Sequence, residues 1–160
     1  MLFWSSLQYF PYLLAAPGNH TQEMSMTQRT VLVVDDEKSQ RDLIRDILRL
    51  EAYAVLEAAD YEEALAVQGR HLGEIDLLLI DLSLPGRNGY ELSKALLAVE
   101  PDLAVLFVSG HAGAELCKSF NMPVTDVHFL QKPFPPAELV RRVKFLLESA
   151  GPLAGSVSAV

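Results

Sequence analysis

The chain has 160 residues, half of them hydrophobic, with one cysteine and a formal charge of −8. That length suits one domain with a short extension rather than two separate cores. The acidic balance argues against an electrostatic grip on nucleic acid, and Cys117 alone excludes an internal disulfide, as suits a reducing cytosol.

Residues 1–28 carry no Lys or Arg, and Leu2 to Ala16 is mostly apolar and aromatic but interrupted by Pro11. The basic start of a signal peptide and the unbroken run of a spanning helix are both missing. The segment is expected to be an apolar leader outside the domain. A start codon placed too early accounts for it, since Met24 and Met26 precede the natural-looking opening MTQRTVLVVDDE. The alternative is a leader that docks on the domain or on a membrane surface.

From Thr30 the pattern becomes regular. Val31 to Val34 is a short apolar run ending in Asp35-Asp36-Glu37, and it suits a strand buried on both faces of a parallel sheet. A helix follows with Leu43, Ile44, Ile47 and Leu48 at core-facing spacing. Tyr53 to Glu57 is a weaker strand. Asp60 with Glu63 forms a capping-box start for a helix through Gln68. Leu77 to Ile80 is another apolar run that suits a strand buried on both faces, and Asp81 stands at its end before a loop turned by Pro85 and Gly89. Asn88 with Glu91 opens a third helix carrying Leu92, Leu96 and Val99, and Pro101 stops it. Leu103 to Val108 is a fourth strand ending in Ser109-Gly110, followed by a short helix over His111 to Phe120 with Cys117 as a small hydrophobe. Val127 to Leu130 is the fifth strand, ending in Gln131-Lys132-Pro133. Pro135 and Pro136 open a final helix with Leu139, Val140, Val143, Leu146 and Leu147 toward the sheet. Residues 150–160 are expected to form a flexible tail with no output domain behind it, so the domain spans 29–149.

Strands alternating with helices imply an α/β fold with a parallel sheet covered on both sides. All strands of such a sheet end at one edge, where open α/β proteins place their chemistry. Asp35, Asp36, Asp81, Ser109 and Lys132 therefore converge. Three carboxylates repel one another unless a cation or a proton relieves them, and Mg²⁺ suits an oxygen-rich acid set. A lysine and a hydroxyl are the groups that a transferring phosphoryl needs around its equatorial oxygens. The combination reads as a phosphoryl-accepting site with Asp81 as nucleophile.

Over about Arg29 to Ser149 the chain resembles the receiver domain of two-component response regulators. The matching residues are Asp35-Asp36, Asp81 with Pro85 and Gly89, Ser109-Gly110, and Lys132-Pro133-Phe134, in the family's order. The phrases FVSGH and FLQKPF look most like receivers of hybrid sensor histidine kinases. The resemblance implies a flavodoxin-like (βα)5 doubly wound sheet in the order 2-1-3-4-5, with Asp81 as phosphoacceptor. It implies Mg²⁺ held by Asp36 and Asp81, by Asp35 through water, and by the Ser83 backbone carbonyl, and a cis peptide before Pro133. A sensor histidine kinase or histidine phosphotransfer domain is the implied donor. Ser109 and Phe129, at the family's switch position, are the implied switch, and a protein partner would read the face of the fourth helix, fifth strand and fifth helix.

The expectation is thus a stand-alone, cytoplasmic phosphorelay module without direct nucleic-acid binding, and without membrane association over 29–160. It is no enzyme beyond promoting its own aspartyl phosphorylation and dephosphorylation. Ser83 and His111 hold the positions that tune phosphoryl lifetime in the family. A phosphorylation-independent interaction module on the same fold is the alternative. An aspartyl phosphatase would want a second carboxylate two residues after Asp81, where Ser83 stands, and a flavodoxin would want a Gly/Ser/Thr-rich phosphate cradle in place of the acidic loop after the first strand.

Overall fold

The computed structural model describes residues 28–110 and 128–149. Strands β1 (Thr30–Val34), β2 (Ala54–Ala58), β3 (Leu77–Asp81), β4 (Ala104–Ser109) and β5 (Phe129–Gln131) form one sheet in the order β2-β1-β3-β4-β5. Every neighbouring pair is parallel. Helices α1 (Lys38–Leu50), α2 (Tyr61–Arg70), α3 (Gly89–Val99) and α4 (Pro136–Ser149) cover it. The alternation of elements predicts a parallel sheet covered on both sides, and the sheet has the flavodoxin-like, doubly wound order that the resemblance implies.

The period of two along each strand sorts the core into two layers. Val31, Val33, Leu77, Leu79, Leu106, Val108 and Leu130 face one side, where Ile44, Ile47 and Leu48 of α1 and Leu139, Val143, Leu146 and Leu147 of α4 cover them. Leu32, Val34, Leu78, Ile80, Val105, Phe107 and Phe129 face the other, under Ala64 and Val67 of α2 and Leu92 and Leu96 of α3. Each of the larger aliphatic side chains removed from water in this way contributes about 1.5–3 kcal/mol. Asp35, Asp81 and Lys132 continue the odd or even set that faces α1 and α4. Ser109 continues the set that faces α2 and α3, as does Phe129.

Helix starts follow local chemistry. Asp60 accepts the Glu63 N–H at 2.8 Å, and the Glu63 carboxylate accepts the Ala59 N–H at 2.7 Å, one residue earlier than a regular capping box. Asn88 accepts the Glu91 N–H at 2.8 Å. Helix α1 ends with Tyr53 N–H donating to Leu48 C=O and Ala52 N–H to Arg49 C=O, with Ala52 at φ 63° in the left-handed position usually held by glycine.

Several expected details shift. Strands β2 and β4 each begin one residue later than the apolar runs suggest, and α2 continues to Arg70. Leu43 is 51% exposed: Ile44, Ile47 and Leu48 already fill the contact stripe of α1, and Leu43 falls on its flank. Val99 is 59% exposed, because it is the last residue of α3, where the chain turns away toward Pro101. The leader over 1–27, the helix expected at His111–Phe120 with Cys117, Val127 and the tail over 150–160 lie outside the described residues. Among the described residues no helix is long and apolar enough to cross a membrane.

Candidate functional site

The register brings the acids together. Val34 pairs with Ile80 and Asp81 with Val108, so the residues ending β1 and β3 lie side by side at the carboxyl edge. Asp35 and Asp81 are buried, 1% and 7% exposed, whereas Asp36 is exposed. Carboxylate oxygens of Asp35, Asp36 and Asp81 lie within 4.8 Å of one another.

Lys132 closes the cluster from β5. Its Nζ donates to Asp35 Oδ2 at 2.8 Å and to Asp81 Oδ2 at 2.7 Å. Its main chain is anchored independently, since the Lys132 N–H donates to the Ser109 carbonyl at 2.8 Å. The Lys132–Pro133 peptide is cis. The second oxygens of the two buried acids bind backbone amides: Asp35 Oδ1 accepts the Glu37 N–H at 2.9 Å and Asp81 Oδ1 the Ser83 N–H at 2.7 Å. Both side chains are thus held at two points, and their four oxygens each have a donor.

The electrostatics reflect competition between burial and pairing. Burial pushes the Asp35 carboxyl above its ordinary value, and this outweighs the opposing hydrogen bonds from Lys132 and Glu37. Burial works to lower the Lys132 ammonium, but hydrogen bonds to Asp35 and Asp81 together overcome it and hold the group above its ordinary value. The lysine therefore stays charged. Counted by formal charge, three carboxylates against one ammonium leave this edge net negative. An all-oxygen, net-negative set with one exposed member fits a hard divalent cation and offers no soft ligand for zinc or copper.

Gly89 matters here for a reason that turn propensity does not convey. A Cβ at this position would run into the Asp81 carbonyl oxygen and come within 2.7 Å of Ile80 Cγ2, so the start of α3 presses against the end of β3. Only glycine allows that approach. Gly86 is different: it holds a φ of 82° with nothing near a would-be Cβ, and serves the turn alone.

The other expected residues take these places. Ser109 is buried at the end of β4, one strand from Asp81. Phe129 is 7% exposed and stacks on Phe107, with ring centroids 5.5 Å apart. Ser83 follows Asp81 by two residues and turns its N–H to the carboxylate. His111 lies outside the described residues. The sequence reading passes over Arg41, whose Nη1 donates to the Asp35 carbonyl at 2.6 Å. Its position in the first turn of α1 was readable, but its target was not, because a main-chain acceptor carries no side-chain signal.

Fold and site together define an α/β protein with an acid pocket and a lysine at the carboxyl edge of a doubly wound sheet. Residues 31–144 match the response regulator receiver domain model. The chain is 36% identical over 129 residues to the phosphate regulon transcriptional regulatory protein PhoB of Pseudomonas aeruginosa, covering 79% of this chain and 55% of that protein. It is 36% identical over 128 residues to the transcriptional regulatory protein ResD of Bacillus subtilis, covering 79% and 52%. Among solved structures it is similar to the receiver domain of the hybrid histidine kinase CckA, with a TM-score of 0.62 and 37% identity over 74% of this chain and 98% of that one. The chain therefore belongs to the response regulator receiver domain family of two-component signalling. It spans about half the length of the curated relatives it matches.

Proposed function

We propose that this receiver accepts a phosphoryl group on Asp81 from a phosphohistidine of a sensor kinase or phosphotransfer domain. The observation that carries the reading is the doubly tethered Asp81 carboxylate, paired with Lys132 inside a cluster of three acids. In the transfer an Asp81 oxygen forms a bond to phosphorus while the phosphorus–nitrogen bond of the donor breaks, and the electron pair leaves with the imidazole. The Ser83 N–H and the Lys132 ammonium fix the carboxylate beforehand, so little reorganisation remains at the moment of attack. Lys132 supplies positive charge where phosphoryl oxygens gather.

Mg²⁺ is the cation we assign to the acid set, held by Asp36, Asp81, the Ser83 carbonyl, and Asp35 through water. When bound it supplies charge neutralisation for the phosphoryl oxygens. Asp35, paired to Lys132, keeps that lysine beside Asp81. For the output, Ser109 and Phe129 share one face of the sheet by strand alternation, so a shift of Ser109 toward a new phosphate alters the packing around Phe129 and Phe107. A protein partner then reads the face of β5 and α4.

The test is intact-protein mass after incubation with acetyl phosphate and Mg²⁺, beside Asp81→Asn. A phosphoryl-sized gain that requires the metal and vanishes in the variant is expected. No gain in the wild type with either acetyl phosphate or a phosphorylated histidine donor would overturn the reading in favour of a phosphorylation-independent module.

A further inference from the structure

Of the carboxylates in the acid set, Asp36 alone has no hydrogen-bond partner among the described residues. Asp35 is clamped by Lys132 and the Glu37 amide, and Asp81 by Lys132 and the Ser83 amide. The place of the Asp36 carboxylate is therefore set through its own main chain. The main chain at Asp35 is gripped at two points, of which the carbonyl belongs to the peptide unit that joins Asp35 to Asp36. Upstream, the Asp35 N–H donates to Ala58 C=O at 3.3 Å, a long bond at the end of the β1–β2 ladder. Downstream, Arg41 Nη1 donates to the Asp35 carbonyl oxygen at 2.6 Å, the short bond expected of a charged donor. That carbonyl lies in the plane of the peptide that carries Asp36.

Arg41 is itself well placed to be rigid. Its N–H donates to Glu37 C=O at 3.1 Å, as does that of Gln40, so the guanidinium stem rises from the first closed turn of α1. The side chain is half-buried rather than extended into water. The neighbouring cations on α1 are engaged elsewhere: Lys38 pairs with Asp42, and Arg45 with Asp42, Asp46 and Glu57. Arg41 is thus the member of this basic group that reaches the acid loop.

We propose that Arg41 is a positioning residue for the metal site: by holding the Asp35–Asp36 peptide plane it fixes where the Asp36 carboxylate stands relative to Asp81. The inference rests on the receiver reading above. Two effects of Arg41 on a bound cation have opposite signs, which makes the idea decidable. As a nearby positive charge it repels the cation, so its loss would tighten binding. As a tether it preorganises a ligand, so its loss would loosen binding. Asp36 is exposed, so the charge of Arg41 acts on a cation there partly through water and is screened, whereas freeing a ligand's supporting contact commonly costs tenfold or more in metal affinity. The tether is expected to win.

The experiment is a Mg²⁺ titration of the unphosphorylated full chain followed by amide chemical shifts of Glu37 and Ser83, for wild type, Arg41→Met, Arg41→Lys and Arg45→Met. Arg41→Met keeps the aliphatic stem and removes the donor, and it is expected to weaken Mg²⁺ about tenfold. Arg41→Lys restores a donor and a charge and should recover part of that loss. Arg45→Met removes a cation one turn away without touching the acid loop, and its affinity should match or slightly exceed that of the wild type. Thermal unfolding without metal shows that each variant is folded. Unchanged or tighter Mg²⁺ binding by folded Arg41→Met would overturn the proposal, as would an equal loss in Arg45→Met. Absence of any Mg²⁺ response in the wild type would instead overturn the receiver reading itself.

Discussion

Replacing Lys132 by Met tests how the acid pocket is held together. The substitution keeps most of the side-chain volume and removes Nζ from 2.8 Å of Asp35 and 2.7 Å of Asp81. Two nearly buried carboxylates then face each other with only the Glu37 and Ser83 amides as donors. Removing one partner of a fully buried ion pair costs about 3–5 kcal/mol. The Lys132 side chain is 22% exposed, so water recovers part of this and about 2 kcal/mol is the expected loss. For a domain of this size that corresponds to roughly 8 °C in Tm. The loss depends on pH in a definite direction. Asp35 is already raised by burial, and without Lys132 the opposing hydrogen bond and charge disappear, raising it further. A carboxyl whose folded value lies above its unfolded value contributes stability below the unfolded value, which is lost as pH rises through the folded one. The deficit of the variant should therefore be larger at about pH 8 than at about pH 5. Mg²⁺ should restore more stability to Lys132→Met than to wild type, because the variant offers the cation one more uncompensated negative charge. The assay is thermal unfolding of both proteins with EDTA and with Mg²⁺ at the two pH values. Equal Tm values with EDTA at the higher pH would refute the claim that Lys132 offsets the repulsion between these acids.

Three backbone substitutions accompany it. Gly89→Ala sets a methyl against the Asp81 carbonyl and Ile80, and rigid main chain cannot yield cheaply, so about 2–3 kcal/mol should be lost in urea unfolding together with slower Asp81 phosphorylation. Gly86→Ala meets no atoms and carries only the penalty of its positive φ, about 1–2 kcal/mol; if both variants lose the same stability and phosphorylate alike, close approach at Gly89 is not the operative constraint. Ala52→Gly should stabilise the chain by about 0.5–1 kcal/mol, since relief of the left-handed alanine exceeds the added flexibility of the unfolded chain. A lower urea midpoint for Ala52→Gly would contradict that balance.

Much of this protein could be read from local patterns. Short apolar runs of β1, β3 and β4 announce strands buried on both faces, and the acids at their ends must meet at one edge once the sheet is parallel. Asp60 and Asn88 mark helix starts through a side-chain oxygen and an amide three residues on, both within one turn. Those features depend on neighbours in sequence, so spacing suffices to see them. Leu43 and Val99 show where spacing fails: periodicity assigns a face, but packing decides how wide a stripe is covered and how far along the helix the cover extends.

The chemistry of the pocket needed the tertiary structure. Lys132 bridges residues 97 and 51 positions away, and which oxygens it takes depends on strand register. The need for glycine at position 89 arises from how closely α3 approaches the end of β3, a distance between elements that no local pattern encodes. Arg41 finds a main-chain carbonyl, an acceptor that every residue carries and that only the fold singles out. The sequence alone determined which residues reach the carboxyl edge, because strands that alternate with helices run parallel and all end on one side. Which atoms touch there was decided by tertiary packing, because hydrogen bonds select on tenths of an ångström that depend on every packed element at once.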